Sequence, residues 1–318
     1  MSSLLNVLVV GAGQIGSRHL QGLAASDKVK SVAVVDPSSF SLERALERWM
    51  SIPNHKNIAF QSFQHACELP LTDYDFAIIA TNATNRLQHL QFVCDLGIKN
   101  ILSEKLLFQS LNELEQANKL CEKRGINLYT NYVYRYASPW HHLASVLGGC
   151  VFKMVINAGD IGLATNLPHW LDLFGFLSQG ELSNLNISIL GQTYPSKRGQ
   201  GLLDFSGIVN SEASSGSTLE MTFAETKQSP IVRIECSKGY ITLDENSGMI
   251  EGSLLSSEYK LQVPMVSSIT TNILDDFVSG TMRYPLLHST FTMNHLLLSA
   301  LGMGLFGKSD KNIIIPIT

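Results

Sequence analysis

The hexapeptide Gly11-Ala12-Gly13-Gln14-Ile15-Gly16 constrains the fold of this chain more than any other feature. The apolar run Val7-Leu8-Val9-Val10 precedes it, and an amphipathic stretch follows. Asp36 stands twenty residues beyond Gly16, at the end of a second apolar run, Val32-Ala33-Val34-Val35. Strand, glycine turn, helix, strand and acid, in that order, make a dinucleotide-binding βαβ unit. Gly11 lets the chain turn sharply out of the strand, Gly13 lets a pyrophosphate approach the backbone, and Gly16 lets the helix pack closely. Free N–H groups at the helix start, around Gln14 and Ile15, favour a bound phosphate. The Asp36 carboxylate can accept from both adenosine ribose hydroxyls and repels a 2′-phosphate, so the expected cofactor is NAD and not NADP. The plainer reading is a tight turn with Asp36 capping the next helix.

At 318 residues the chain has room for two domains with separate cores, and 45% hydrophobic against 16% charged residues marks it as globular. A net charge of −4 gives no footing for nucleic acid. No apolar run is long enough to span a bilayer. No basic region precedes the first apolar run, which reads as a strand and not as a signal peptide. The cysteines (Cys67, Cys94, Cys121, Cys150 and Cys236) are scattered, odd in number and without a CxxC pair. That usage points to a reducing cytoplasm and to no metal site.

Strand and helix signals alternate through Tyr129. Leu42, Ala45, Leu46 and Trp49 have helical spacing, Phe76–Ala80 is a continuous apolar strand, and Ser110 with Glu113 forms a capping box. Beyond residue 150 the pattern changes to consecutive strands with turn signals at Lys238-Gly239 and Asn246-Ser247-Gly248. A helix is expected near 168–178, with Pro168 in its first turn, and two more near 269–279 and 288–306. Residues 195–218, rich in Gly and Ser, read as a loop. The expected architecture is α/β: a doubly wound parallel Rossmann sheet over 1–125, then an α+β domain with a large open, mostly antiparallel sheet over 126–318.

Ligands bind beyond the carboxyl ends of parallel strands, so the residues just after each strand are candidates. Thr81 and Asn82 follow the Phe76–Ala80 strand, and Ser103-Glu104-Lys105 follow Ile101-Leu102. A partly desolvated Lys105 near a bound cation has a lowered pKa and can exchange a proton with a substrate hydroxyl. The alternative is a surface lysine paired with Glu104. A second constellation is Asn166-Leu167-Pro168-His169-Trp170-Leu171-Asp172. His169 and Asp172 share one face of an otherwise apolar helix, where a proton acceptor and its orienting carboxylate would fit. A satisfied core histidine with a capping aspartate fits the same spacing.

Gly11–Gly16 followed by Ser17-Arg18-His19, then Ala80-Thr81-Asn82 with His89, Glu104-Lys105-Leu106, Tyr134-Arg135-Tyr136 and His169-x-x-Asp172, resembles the Gfo/Idh/MocA oxidoreductases over nearly the whole chain. The resemblance implies hydride transfer between NAD(P) and a secondary alcohol of a sugar, nucleotide sugar or cyclitol. It implies Lys105 and His169 as the catalytic pair. His89 and Glu104 join Thr81, Asn82 and Lys105 on the cofactor side, and Arg135, Tyr134, Asp172, Asn166 and Thr165 lie toward substrate. It further implies a homodimer or homotetramer, with a small sugar-like molecule as partner and neither nucleic acid nor membrane. Two positions depart from the family pattern: Leu106 replaces the proline of Glu-Lys-Pro, and Thr165 stands where inositol dehydrogenase-like members carry aspartate. The Asn-x-Pro-His-Trp-x-Asp variant resembles members associated with surface-glycan or nucleotide-sugar synthesis. Two alternatives stay open: a non-enzymatic NAD-binding sensor or scaffold, and an epimerase or lyase that retains its NAD.

Overall fold

The computed structural model describes residues 4–70, 72–159, 161–224, 228–256 and 258–318. The chain divides into two compact units, and neither is one continuous stretch of sequence. The first is Met1–Phe108, Glu115–Asn131 and Pro264–Ser289; the second is Gln109–Leu114, Tyr132–Val263 and Thr290–Thr318.

The first unit is built on six parallel strands: β1 (Leu5–Val10), β2 (Val29–Val35), β3 (Ala59–Phe63), β4 (Phe76–Ile79), β5 (Asn100–Ser103) and β6 (Asn127–Thr130). Their order is β3-β2-β1-β4-β5-β6. The order reverses between β1 and β4, the position at which open α/β sheets bind ligands. Helices α1 (Gln14–Ala25), α2 (Ser39–Met50), α3 (Arg86–Asp95) and α4 (Leu111–Arg124) form the crossovers. Leu8 and Ile78, central in β1 and β4, are completely buried, as strands covered on both faces require. Ser110 Oγ caps α4 by accepting from the Glu113 N–H at 3.2 Å, and Glu113 returns a bond to the Gln109 N–H and not to Ser110 itself.

The expected boundary at residue 125 is displaced. β6 is hydrogen-bonded in register to β5, which carries the first unit to Asn131. The helix α7 (Val266–Ser279) belongs to it as well, with the Phe277 ring 5.0 Å from that of Phe76. α7 lies against α1 so closely that a Cβ at Gly22 would be 2.3 Å from the Ser267 carbonyl oxygen.

The second unit holds helices α5 (Ser138–Leu147), α6 (Leu163–Ser178) and α8 (Leu287–Phe306). Its seven strands are β7 (Phe152–Ala158), β8 (Leu182–Pro195), β9 (Leu203–Ala213), β10 (Thr218–Phe223), β11 (Ile231–Cys236), β12 (Gly239–Asp244) and β13 (Ile250–Gly252). They run in the order β13-β12-β11-β7-β10-β9-β8. Only the β7–β10 pair is parallel. Leu219, Met221 and Phe223 of β10 are buried, and Glu220 between them is exposed, so one sheet face makes the core.

Two expectations are corrected here. Residues 195–218 are not a loop: β9 occupies their centre, paired to β8 on one side and β10 on the other, with Phe205 and Val209 in the core. The helix expected near 168–178 begins at Leu163, leaving Pro168 inside it. Proline lacks the N–H that would bond four residues back. The first turn is held from elsewhere, because Asp204 on β9 accepts the Ala164 N–H at 2.9 Å and the Asn166 amide donates to Ile161 O and Gly162 O, each at 2.8 Å.

Candidate active site

β1 and β2 pair in register to their last residues, Val10 with Val35, so Gly11 and Asp36 leave the sheet side by side. Asp36 Oδ2 accepts the Ala12 N–H at 2.7 Å and Oδ1 accepts the Ser38 N–H at 2.9 Å. This fixes the carboxylate against the glycine turn. The N-cap of α2 is Ser38, whose Oγ accepts from Ser41, so Asp36 is not that helix's cap. The three glycines differ physically. Gly11 has φ +98°, the left-handed region that favours glycine. A Cβ at Gly16 would fall 1.9 Å from the Gly11 oxygen, whereas a Cβ at Gly13 would meet nothing within 4 Å. Gly13 thus borders open space at the start of α1, where no side chain caps the helix and its first turn carries no acid. Exposed N–H groups, helix polarity and an absent side chain suit a pyrophosphate, so these residues fit NAD. Arg48 of α2 donates to Gln14 Oε1 at 3.1 Å and to Ser17 Oγ, holding the first turn of α1.

The next two strand ends carry Thr81 and Glu104-Lys105. Thr81 Oγ1 lies 3.2 Å from His89 Nδ1. Burial, and then the Arg86 guanidinium, push His89 below the usual histidine value. Asn82 is exposed. Arg86, the first residue of α3 and almost completely buried, donates to the carbonyls of Thr81, Glu104 and Leu106. It therefore fixes the backbone on both sides of Lys105, itself only 7% exposed, and the Lys105–Leu106 peptide is cis. The surface-lysine alternative does not describe this residue.

Glu104 anchors a chain of polar groups. Its Oε1 accepts from His19 Nε2 at 3.1 Å and from the Asn131 amide, and Tyr284 donates its hydroxyl to Asn131 Oδ1. His19 is completely buried, with Nδ1 2.8 Å from Thr270 Oγ1. Thr270 donates its proton to Val266 O at 2.7 Å, so it accepts from His19. Burial works to raise the Glu104 pKa. The hydrogen bond and charge of His19, the Asn131 amide and the Lys105 charge outweigh it and hold the value at about 2.

In the second unit the candidates gather on α6 and on the short turn Val133–Tyr136. Half-buried His169 meets the edges of the Tyr132 and Tyr134 rings, at centroid distances of 6.2 and 6.1 Å. Asp172 does not orient it. Both Asp172 oxygens accept from Arg135, at 2.8 Å from Nε and 2.9 Å from Nη2, and the guanidinium lies 4.4 Å over the Phe176 ring. Burial raises the Asp172 pKa, opposed by the Arg135 charge and hydrogen bonds. Tyr134 donates to Glu245 Oε1 at 2.7 Å, and burial, then the Glu245 charge, hold its pKa well above the usual value. Thr165 donates to Asp204 Oδ2 at 2.7 Å, and Asn166 is occupied at the start of α6.

Sequence reasoning missed Arg86, Asn131, Thr270, Tyr284, Asp204 and Glu245. Asn131 had a usable signal, because it directly follows β6, as Thr81 and Glu104 follow their strands. The others had none, for their partners are distant in sequence. Among the described residues no cluster of three or more His, Cys, Asp or Glu could hold a metal, and no helix is long and apolar enough to cross a membrane.

Residues 5–132 match the sequence model of Gfo/Idh/MocA, an oxidoreductase family with an NAD-binding Rossmann fold. No curated protein sequence matches the chain. Solved structures match it along almost its whole length at low identity, which shows the fold alone. An oxidoreductase from Agrobacterium radiobacter in complex with NAD+, L-tartaric acid and magnesium is 14% identical with a TM-score of 0.76, over 96% of this chain and 98% of that one. The myo-inositol 2-dehydrogenase of Lactobacillus plantarum is 12% identical at TM-score 0.73, over 96% and 98%. The UDP-N-acetylglucosamine 3-dehydrogenase GnnA of Acidithiobacillus ferrooxidans is 16% identical at TM-score 0.70, over 95% and 97%.

Proposed function

From the premise that its NAD-binding domain belongs to the Gfo/Idh/MocA oxidoreductases, we propose that this chain oxidises or reduces a secondary alcohol of a sugar, nucleotide sugar or cyclitol. Gly11, Gly13, Gln14, Ile15 and Gly16 hold the pyrophosphate, Asp36 takes the ribose hydroxyls in preference to a 2′-phosphate, and Thr81, Asn82, His89 and Glu104 line the nicotinamide side. Bound NAD supplies the hydride acceptor or donor. Lys105 and His169 handle the proton of the substrate hydroxyl. The observation that carries this reading is the buried framework around Lys105: Arg86 binds the carbonyls on either side of it, and Glu104 is tied to His19 and Asn131. Such investment in buried polar groups behind one lysine supports a working side chain. Tyr134, Arg135 and Asp172 support the substrate side through their fixed contacts, while Thr165 and Asn166 face substrate. A small-molecule partner, a cytoplasmic location and a homodimer or homotetramer belong to the same proposal. The free state of all five cysteines is consistent with that compartment.

The test is NADH absorbance on a panel of L-tartrate, myo-inositol, glucose, sugar phosphates and UDP-N-acetylglucosamine, with NAD and NADP compared. The expected result is NAD-linked turnover of at least one of these polyols. Lys105→Ala and His169→Ala each lower kcat by about 100-fold or more. Turnover untouched by both substitutions overturns the assigned roles, and a strong preference for NADP overturns that of Asp36.

A further inference from the structure

The turn Val133–Tyr136 and the residue before it set two tyrosine rings against His169, and each ring is held at both ends. At the backbone end, the Arg135 N–H donates to Tyr132 O at 3.0 Å and the Ala137 N–H to Tyr134 O at 3.1 Å. At the hydroxyl end, Tyr132 donates to Asn294 Oδ1 of α8 at 3.4 Å, and Tyr134 donates to Glu245 Oε1 at 2.7 Å. The second bond is shorter and ends on a carboxylate, which makes it the stronger of the two. Tyr134 is buried, and its ring lies 4.5 Å from that of Trp170 and 6.1 Å from those of Trp140 and His169. In such close packing a displaced Tyr134 ring moves the surface on which His169 rests.

Glu245 comes 111 residues after Tyr134, in the turn that follows β12. That turn is fixed before the side chain leaves it. Asp244 Oδ1 accepts the N–H of Asn246 at 2.9 Å and of Ser247 at 3.3 Å, and the Glu245 N–H donates to Pro230 O at 3.0 Å. Burial raises the Glu245 pKa, and the Tyr134 hydrogen bond opposes that rise. A half-buried carboxylate is a costly acceptor for a bond that a neutral oxygen could take. It has one advantage: both of its oxygens accept, so the bond forms whichever way the group turns, whereas an amide presents a donor at one of its two ends.

We propose that Glu245 is a positioning residue of the reaction: by holding the Tyr134 hydroxyl it fixes the ring that sets the place of His169. The inference rests on the oxidoreductase reading, in which His169 handles the proton of the substrate hydroxyl. It adds a residue that works through Tyr134, and a proton acceptor held in this way stays in line with the hydroxyl it serves.

Glu245→Ala, Glu245→Gln, Tyr134→Phe and the double variant Glu245→Ala with Tyr134→Phe are compared with the wild type in the NADH assay on myo-inositol, glucose and UDP-N-acetylglucosamine. Glu245→Ala and Tyr134→Phe are each expected to lower kcat about tenfold with KM within about twofold of wild type. The double variant is expected to lose no more than either single one, because both break the same bond. Glu245→Gln keeps an acceptor and is expected to recover kcat to within about threefold of wild type. A second readout needs no substrate. In protein isotope-labelled at its histidines, the His169 ring resonance, identified by its loss in His169→Ala, is expected to move in Glu245→Ala and in Tyr134→Phe. Thermal melts accompany each variant. If Glu245→Ala does not fold, Glu245→Met, which keeps the volume and offers only a weak acceptor, takes its place, and Tyr134→Phe decides if neither folds. An unchanged kcat or an unmoved His169 resonance makes Glu245 a support of the fold alone and overturns the proposal, as do losses that multiply in the double variant. A wild type inactive on every polyol removes the oxidoreductase reading, and the His169 resonance then decides by itself whether Glu245 places that ring.

Discussion

Glu104 shows how one buried carboxylate can join helix α1 to the segments that follow β5 and β6. Its pKa falls from 4.5 to about 2 in the folded chain, because His19, Asn131 and Lys105 together outweigh the burial that opposes ionisation. A carboxylate lowered in this way contributes its full stability above about pH 4.5, and the contribution is lost as pH falls toward about 2. The difference corresponds to roughly 3 kcal/mol. Glu104→Gln is therefore expected to lower stability near neutral pH by about that amount, and to flatten the loss of stability on acidification through this window. Urea midpoints of wild type and variant across the pH range measure both; parallel curves would remove Glu104 as the group responsible. Burial also sets the chemistry of two thiols, raising Cys94 to about 11 and Cys121 to about 12, where neither is a nucleophile at neutral pH.

The glycine turn between β1 and α1 divides into a glycine packed against backbone, Gly16, and one that borders open space, Gly13. Gly16→Ala puts a methyl group 1.9 Å from a backbone oxygen, while Gly13→Ala puts one into open space. Gly16→Ala is expected to prevent folding or lower Tm by about 10 °C or more. Gly13→Ala is expected to melt within a few degrees of wild type and to weaken NAD binding by about tenfold or more, measured by titrating NAD and following Tm. If both variants bind NAD normally, the pyrophosphate does not lie at Gly13. The alternation of strand and helix through Tyr129 was legible because it is local: period, caps and turn residues sit in one window. The start of α6 was not, because Pro168 looks like a first-turn proline until Asp204 is seen satisfying the earlier turn from another strand. β9 was hidden for a related reason. Gly201 and Gly207 read as loop, and pairing on both sides outweighs that local preference. The candidate site was legible where its residues follow strand ends, as at Thr81, Glu104 and Lys105. It was illegible where it depends on side chains such as Arg86, Tyr284 and Asp204 meeting residues far along the chain.

At the scale of the whole chain, the first unit takes α7 from residues 264–289. His19 needs Thr270, and Gly22 makes room for Ser267, so the fragment ending at Asn131 lacks one side of its own core. That fragment is expected to show no cooperative melt and no NAD binding. The same fragment joined by a flexible Gly/Ser linker to Pro264–Ser289 is expected to recover both. Saturating NAD, at 100 times Kd, should then add about 2.7 kcal/mol to its stability. Circular dichroism melts with and without NAD distinguish the cases, and an Asn131-terminated fragment that melts cooperatively and binds NAD would show that α7 is dispensable.

The late return of α7 also separates the order of synthesis from the order of completion. The dinucleotide fold begins at β1, yet α7 ends at Ser279, after all of β7 to β13 has been made. During that interval the nascent chain carries a nearly finished sheet with the α1 face bearing His19 and Gly22 still bare. A chain interrupted anywhere before α7 therefore ends with that α1 face still uncovered.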